Sequence, residues 1–137
     1  GVTEMSEPSG ALPSHHERRQ RLVTRPNPRR PIDYLVELKT TLPKPLTKGP
    51  VSLVLSYVPD SLILEPDCLN DYLAALAEDS WESLEAAATT ALEDIINELV
   101  ARWTRLELEA GGKPSHTITL EDRQSNWDNP ALLSRFS

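Results

Sequence analysis

Apolar residues recur along this chain with two different spacings, and the points where one gives way to the other outline a fold. Ile32, Tyr34, Val36 and Leu38 alternate with Asp33, Glu37 and Lys39, the period of a half-buried strand, with Leu35 the exception on the outward face. Residues 40–50 hold three prolines and a glycine and predict a rigid loop. The run Val51-Ser52-Leu53-Val54-Leu55-Ser56-Tyr57 predicts a second strand, closed by the turn residues Pro59 and Asp60. Leu62-Ile63-Leu64 resumes an apolar path before Glu65 and Pro66. From there the spacing becomes helical: Leu69, Tyr72, Leu73 and Leu76 predict a short helix over 66–77. Ser80 then offers an N-cap to a long amphipathic helix whose stripe runs Trp81, Leu84, Ala88, Ala91, Leu92, Ile95, Leu99 and Trp103. Alternation returns over 104–110 and 116–122, with Ile118 and Leu120 inward and Gly111-Gly112-Lys113-Pro114 as the hairpin turn. Ala131–Phe136 predicts a last short helix.

The order is strand, strand, helix, helix, strand, strand. Two hairpins bracketing a helical pair pack most simply as an α+β domain, a four-stranded antiparallel sheet with both helices on one face. Apolar strands at bare sheet edges invite aggregation, so pairing of edges between identical subunits is expected, closing the sheets into a barrel. Three segments are read: a tail over 1–31, the ββααββ domain over 32–122, and a C-terminal loop and short helix over 123–137.

Charge sharpens that division. Six arginines face three glutamates in residues 1–31, whereas the remainder carries 8 basic and 18 acidic residues. With Ser and Pro abundant and no sustained apolar period, residues 1–31 read as a disordered tail whose arginines either stay in water or lie against the acidic body. Nucleic-acid binding is not expected, because the tail has no aromatic residues and the body is acidic. No apolar run approaches the roughly 20 residues of a membrane span, and no leader pattern opens the chain. The single cysteine, Cys68, precludes an intrachain disulfide and fits a cytoplasmic location.

Glu65 is the first candidate for chemistry, a carboxylate where an apolar strand hands over to a helix; it can accept from a ligand's donors or cap the helix. Cys68, three residues on, reads as a thiol near a helix N-terminus or as a small buried hydrophobe. Trp127 stands in a polar loop with Asp122, Arg123, Asn126, Asp128 and Asn129, free to stack on a planar ligand or to anchor the C-terminal segment. Histidines 15 and 16 fall in the tail and His116 stands alone, short of the three convergent ligands of a catalytic zinc site. No Gly-rich phosphate loop and no Ser-His-Asp arrangement is read, so neither a metal nor a cofactor is expected.

The ββααββ order resembles the tunnelling fold of GTP cyclohydrolase I, pyruvoyl-tetrahydropterin synthase, urate oxidase and the 7-cyano-7-deazaguanine reductases. Within that group Tyr57-Val58-Pro59-Asp60, Leu64-Glu65, Leu69 and Tyr72-Leu73 resemble the reductases, over about residues 32–121. The resemblance implies a barrel of subunits with pockets between them, and a glutamate, here Glu65, that accepts from the ring N–H and amino group of a guanine-like base. It also implies a nucleophilic cysteine, followed by proline, in the loop after the first strand, with an aspartate a few residues on. Leu42 stands at the cysteine's place, and no carboxylate follows in that loop. A leucine has no lone pair with which to attack a nitrile. The Ser-Lys-Ser-x-Lys run that the family associates with its nicotinamide cofactor is here Pro66-Asp67-Cys68-Leu69-Asn70, and the histidine expected at the next helix start is missing from Glu78–Ser83. No residue is therefore assigned to catalysis. Two readings stay open: a protein that holds a purine- or pterin-like ring through Glu65 at a subunit interface, or a non-catalytic interaction module. A degenerate subunit whose site a partner chain completes is a variant of the latter.

Overall fold

Alternation of the third strand organises the molecule. In the computed structural model, which describes residues 15–136, strand β3 (Val51–Val58) buries Val51, Leu53, Leu55 and Tyr57 on one face to 1% exposure or less. Each contributes about 1.5–3 kcal/mol of apolar burial, which makes this strand the centre of the core. It pairs antiparallel with β2 (Val36–Thr41) on one side and β5 (Trp103–Ala110) on the other, and β5 pairs with β6 (His116–Arg123). The result is a four-stranded antiparallel sheet in the order β2-β3-β5-β6. Register places Leu55 opposite Leu38 and Leu106, and Leu108 opposite Ile118, so one face is continuously apolar.

Helices α2 (Cys68–Ala77) and α3 (Leu84–Leu99) cover that face, with Leu69, Tyr72, Leu73 and Leu76 of the first and Leu84, Ala88, Ala91, Ile95 and Leu99 of the second in one core with β3 and β5. The opposite sheet face carries Glu37, Lys39, Arg105 and Glu107. The chain is thus α+β with the expected hairpin, helical pair and hairpin. No described helix is long and apolar enough to cross a membrane.

Four boundaries differ from the sequence reading. The first long strand begins at Val36, not Ile32: residues 32–35 are irregular, and Ile32 is half exposed, because its alternation has no partner strand beyond Tyr57. Helix α2 starts two residues after Pro66. The long helix is capped by Ser83 instead of Ser80; Ser83 is extended and its Oγ accepts from Ala86 N at 3.0 Å. That helix stops at Val100, whose φ of +50° is left-handed, so it runs 16 residues. Trp81 and Trp103 therefore lie outside it. Trp81 instead donates its indole N–H to the Leu76 carbonyl at 2.7 Å, and Trp103 opens β5.

The largest difference lies in the segment read as a tail. Residues 1–14 are outside the described residues, but His15–Arg19 form a helical turn, α1, and Thr24–Pro26 form a strand, β1. Strand β1 pairs antiparallel with β4 (Leu62–Leu64) as a separate two-stranded sheet, matching Thr24 with Leu64 and Pro26 with Leu62. Leu22 joins the core at 6% exposure. Of the tail's arginines, Arg18, Arg19, Arg25 and Arg30 pair with Asp94, Glu98, Glu65 and Asp60, so they lie against the acidic body. The C-terminal segment forms helix α4 (Pro130–Leu133) and a 3-10 turn, close to the expected helix.

Candidate functional site

Glu65 is held from three sides by backbone and hydroxyl contacts. The Tyr57 hydroxyl, buried at the end of β3, accepts from Leu64 N at 2.8 Å and so aligns the residue before it. Glu65 N donates to Val23 O at 2.9 Å, extending the β1–β4 ladder by one step. Glu65 O accepts from Cys68 N at 3.1 Å, and Pro66 O from Leu69 N at 3.2 Å, which turns the chain into α2. The Glu65 side chain does not cap α2; Asp67 occupies that position and makes no side-chain cap bond. Its Oε2 accepts instead from Arg25 Nε on β1. The pair is open to water, with side chains 30% and 65% exposed. Exposed ion pairs of this kind contribute about 0–1 kcal/mol, so a ligand can compete for the carboxylate at little cost.

Cys68 stands on the adjoining turn, 6% exposed. Its Sγ accepts from Val23 N at 3.3 Å. Burial pushes its thiol pKa up, more than the contact to Val23 lowers it, which favours the neutral thiol. A cavity of about 380 Å³ lies beside it, lined by Arg21, Val23, Cys68, Asp71 and Ala74. Glu65 and Cys68 are thus brought together on one turn.

Trp127 belongs to a different cluster. Its Nε1 donates to Asp33 Oδ2 at 3.0 Å, beside Asn129 Nδ2 at the same oxygen and Arg102 Nη1 at Oδ1. Arg102 also reaches Asp60 Oδ1 at 3.4 Å, and Asp60 accepts from Gln124 and Arg30. Desolvation raises the Asp33 pKa, but its three donors outweigh that and hold it below 3.8; at Asp60 the Gln124 bond leads and the direction is the same. The two aspartates tie together the β1–β2 connection, the Pro59-Asp60 turn, the approach to β5 and the C-terminal loop. Composition signalled only the donors in the 122–130 loop; that Asp33 and Asp60 receive them depends on chain crossings no local pattern encodes.

Leu42 closes the β2–β3 hairpin from inside. Its N–H donates to Val51 O at 2.9 Å and its side chain is 6% exposed within the core. A second cavity, about 410 Å³, opens at the other end of α3 between Lys48, Glu82, Glu85, Lys113 and His116. His116 Nε2 lies 3.0 Å from Glu85 Oε2 there. Among the described residues no three His, Cys, Asp or Glu side chains converge as metal ligands.

No family model matches the chain. The chain is 31% identical over 118 residues to an NADPH-dependent 7-cyano-7-deazaguanine reductase of Syntrophus aciditrophicus, a similarity covering 81% of this chain and 84% of that protein.

Proposed function

The chain belongs to the family of 7-cyano-7-deazaguanine reductases, and from that premise we propose that it is a tunnelling-fold subunit that binds a purine- or pterin-like ring through Glu65 without reducing a nitrile. The observation that carries the reading is the Glu65 turn: its backbone is braced by Tyr57, Val23 and Cys68, while the carboxylate is 30% exposed and bonded to Arg25. A carboxylate on a braced turn, held by an exposed ion pair alone, can accept adjacent N–H donors of a planar ring. Copies joined through the exposed edges of β2 and β6 would build a barrel and complete the pocket from a neighbouring subunit.

The chemistry of reduction has no residues to rest on. Leu42 is core, and Cys68 is a buried thiol with a raised pKa. The residues present also do not fit a phosphorylated nicotinamide cofactor. Where the family carries lysines this chain has Asp67 and Asn70, so neither cation is present to meet a phosphate. A second reading, a scaffold whose pocket has decayed, is favoured by the Arg25 guanidinium already resting on Glu65.

Thermal-shift titration with guanine, 7-cyano-7-deazaguanine and pterin separates the two. Ring binding predicts a melting temperature that rises with ligand concentration and a Glu65→Ala variant that does not respond. No response to any ring, or an equal response from Glu65→Ala, overturns the reading. NADPH oxidation in the presence of 7-cyano-7-deazaguanine is expected to be absent.

A further inference from the structure

Arg25 does more to Glu65 than neutralise it. Strand β1 places Arg25 opposite Ile63 and binds its neighbour Val23 to Glu65 N, so the guanidinium is delivered to the carboxylate by a backbone ladder instead of by a loose tail. The guanidinium meets Glu65 Oε2 through Nε, and with side chains 65% and 30% exposed the pair keeps N–H donors and carboxylate lone pairs facing water. The guanidinium is a planar fork with five N–H donors, and a carboxylate has lone pairs to spare after accepting one of them. Side by side, the pair therefore presents open acceptors next to open donors on one exposed edge.

We infer that Arg25 is a specificity-determining residue of the Glu65 site, and that Arg25 and Glu65 together select a ring edge with an N–H beside a carbonyl oxygen. In a 2-amino-4-oxo pyrimidine ring, as in pterin or the corresponding edge of guanine, the amino group and ring N–H face the carboxylate. The adjoining oxo group then faces an Arg25 Nη donor. A ring that keeps the amino group and the ring N–H but carries a thione in place of the oxo group still satisfies Glu65 and offers Arg25 only a weak acceptor, so the difference between the two rings reports on Arg25. The inference rests on the ring-binding reading of Glu65 and adds Arg25 to it.

The test is a thermal-shift and calorimetric comparison on the full chain of pterin with 4-thiopterin, and of guanine with 6-thioguanine, in wild type, Arg25→Ala, Arg25→Lys and Glu65→Gln. The oxo ring of each pair is expected to bind at least about tenfold tighter to wild type, as suits a hydrogen bond to a charged donor. Arg25→Ala should bring the two rings to within about twofold, and Arg25→Lys should keep part of the preference. An unchanged preference in Arg25→Ala, or tighter binding of both rings once Arg25 is gone, overturns the inference while Glu65 recognition stands, provided Glu65→Gln still loses binding. Wild type that binds neither ring of either pair overturns both. Circular dichroism of Arg25→Ala shows whether β1 remains docked, and Arg25→Lys supplies the same reading if it does not.

Discussion

Arg18 and Asp94, 76 residues apart in sequence, meet at 2.8 Å with side chains only 5% and 6% exposed. Tyr72 donates its hydroxyl to the same Asp94 oxygen at 2.5 Å, and the Arg18 guanidinium lies 6.0 Å from the Trp81 ring centroid. Burial opposes the charge on Arg18, but Asp94 more than offsets it and its pKa stands above the ordinary value; Tyr72, buried and beside a carboxylate, is also pushed up. The segment before the sheet is therefore locked onto α2 and α3 by this buried charge pair, with the Arg19–Glu98 pair and the buried Leu22 beside it.

Removing one partner leaves the other charge buried and unpaired. Arg18→Ala and Asp94→Ala are each expected to destabilise the protein by about 3–5 kcal/mol in urea denaturation. The double substitution Arg18→Leu with Asp94→Leu should cost less than the sum of the single ones, because it removes both charges together. Losses below about 1 kcal/mol for either single variant would show that the segment is not locked.

How much of this was legible in the sequence varies with how local its cause is. Residues 51–58 are legible as a run of β-branched and aliphatic residues, and 116–122 by the alternation that packs Ile118 and Leu120 against the core. Strand β1 is not: three residues long, it owes its existence to β4, 38 residues away, and none of its residues is buried. Helical spacing carried through Leu99 to Trp103 because a gap of four residues suits a helix, while the left-handed Val100 that ends the helix leaves no such mark. At the site, Glu65 was identified as a carboxylate before a helix, but its partner could not be, since Arg25 lay among six arginines with nothing to single it out.

Two serines compete in the sequence for the start of the long helix, and substitution separates them. Ser83 Oγ satisfies Ala86 N, so Ser83→Ala should cost about 1 kcal/mol of stability. Ser80 contributes a backbone N–H to Asp79 Oδ1, which alanine retains, so Ser80→Ala should stay within about 0.5 kcal/mol. Chemical denaturation midpoints at constant m-value measure both, and the opposite ranking would move the helix start back by three residues.

Asp33 and Asp60 make stability depend on acid. Their folded pKa values lie below the ordinary 3.8, so the folded state binds fewer protons than the unfolded state in that range. The stabilisation is complete well above pH 3.8 and is lost as the pH falls through it toward the depressed folded values. Urea midpoints should accordingly drop on acidification across that window. Asp33→Asn combined with Asp60→Asn should lower stability at neutral pH and flatten the decline. A profile parallel to wild type would place the acid sensitivity elsewhere.

Leu42 decides whether the loop after β2 is a site or part of the core. The family resemblance puts a nucleophile here, whose sulfur must reach a ligand. In this chain the residue follows the Thr41–Ser52 pair, gives its N–H to Val51 and turns its side chain inward. A leucine so buried contributes transfer energy and fills volume that its neighbours cannot recover, so Leu42→Ala should cost about 2–5 kcal/mol. Leu42→Cys in a Cys68→Ala background extends the test, since a thiol at a core position reacts with a disulfide reagent only as fast as the structure opens. Slow modification in buffer, accelerated by denaturant, is the expected result. Immediate modification together with a negligible cost for Leu42→Ala would instead mean that the position faces an open pocket, and that the loss of the nucleophile is a change of chemistry at a site still accessible to ligand.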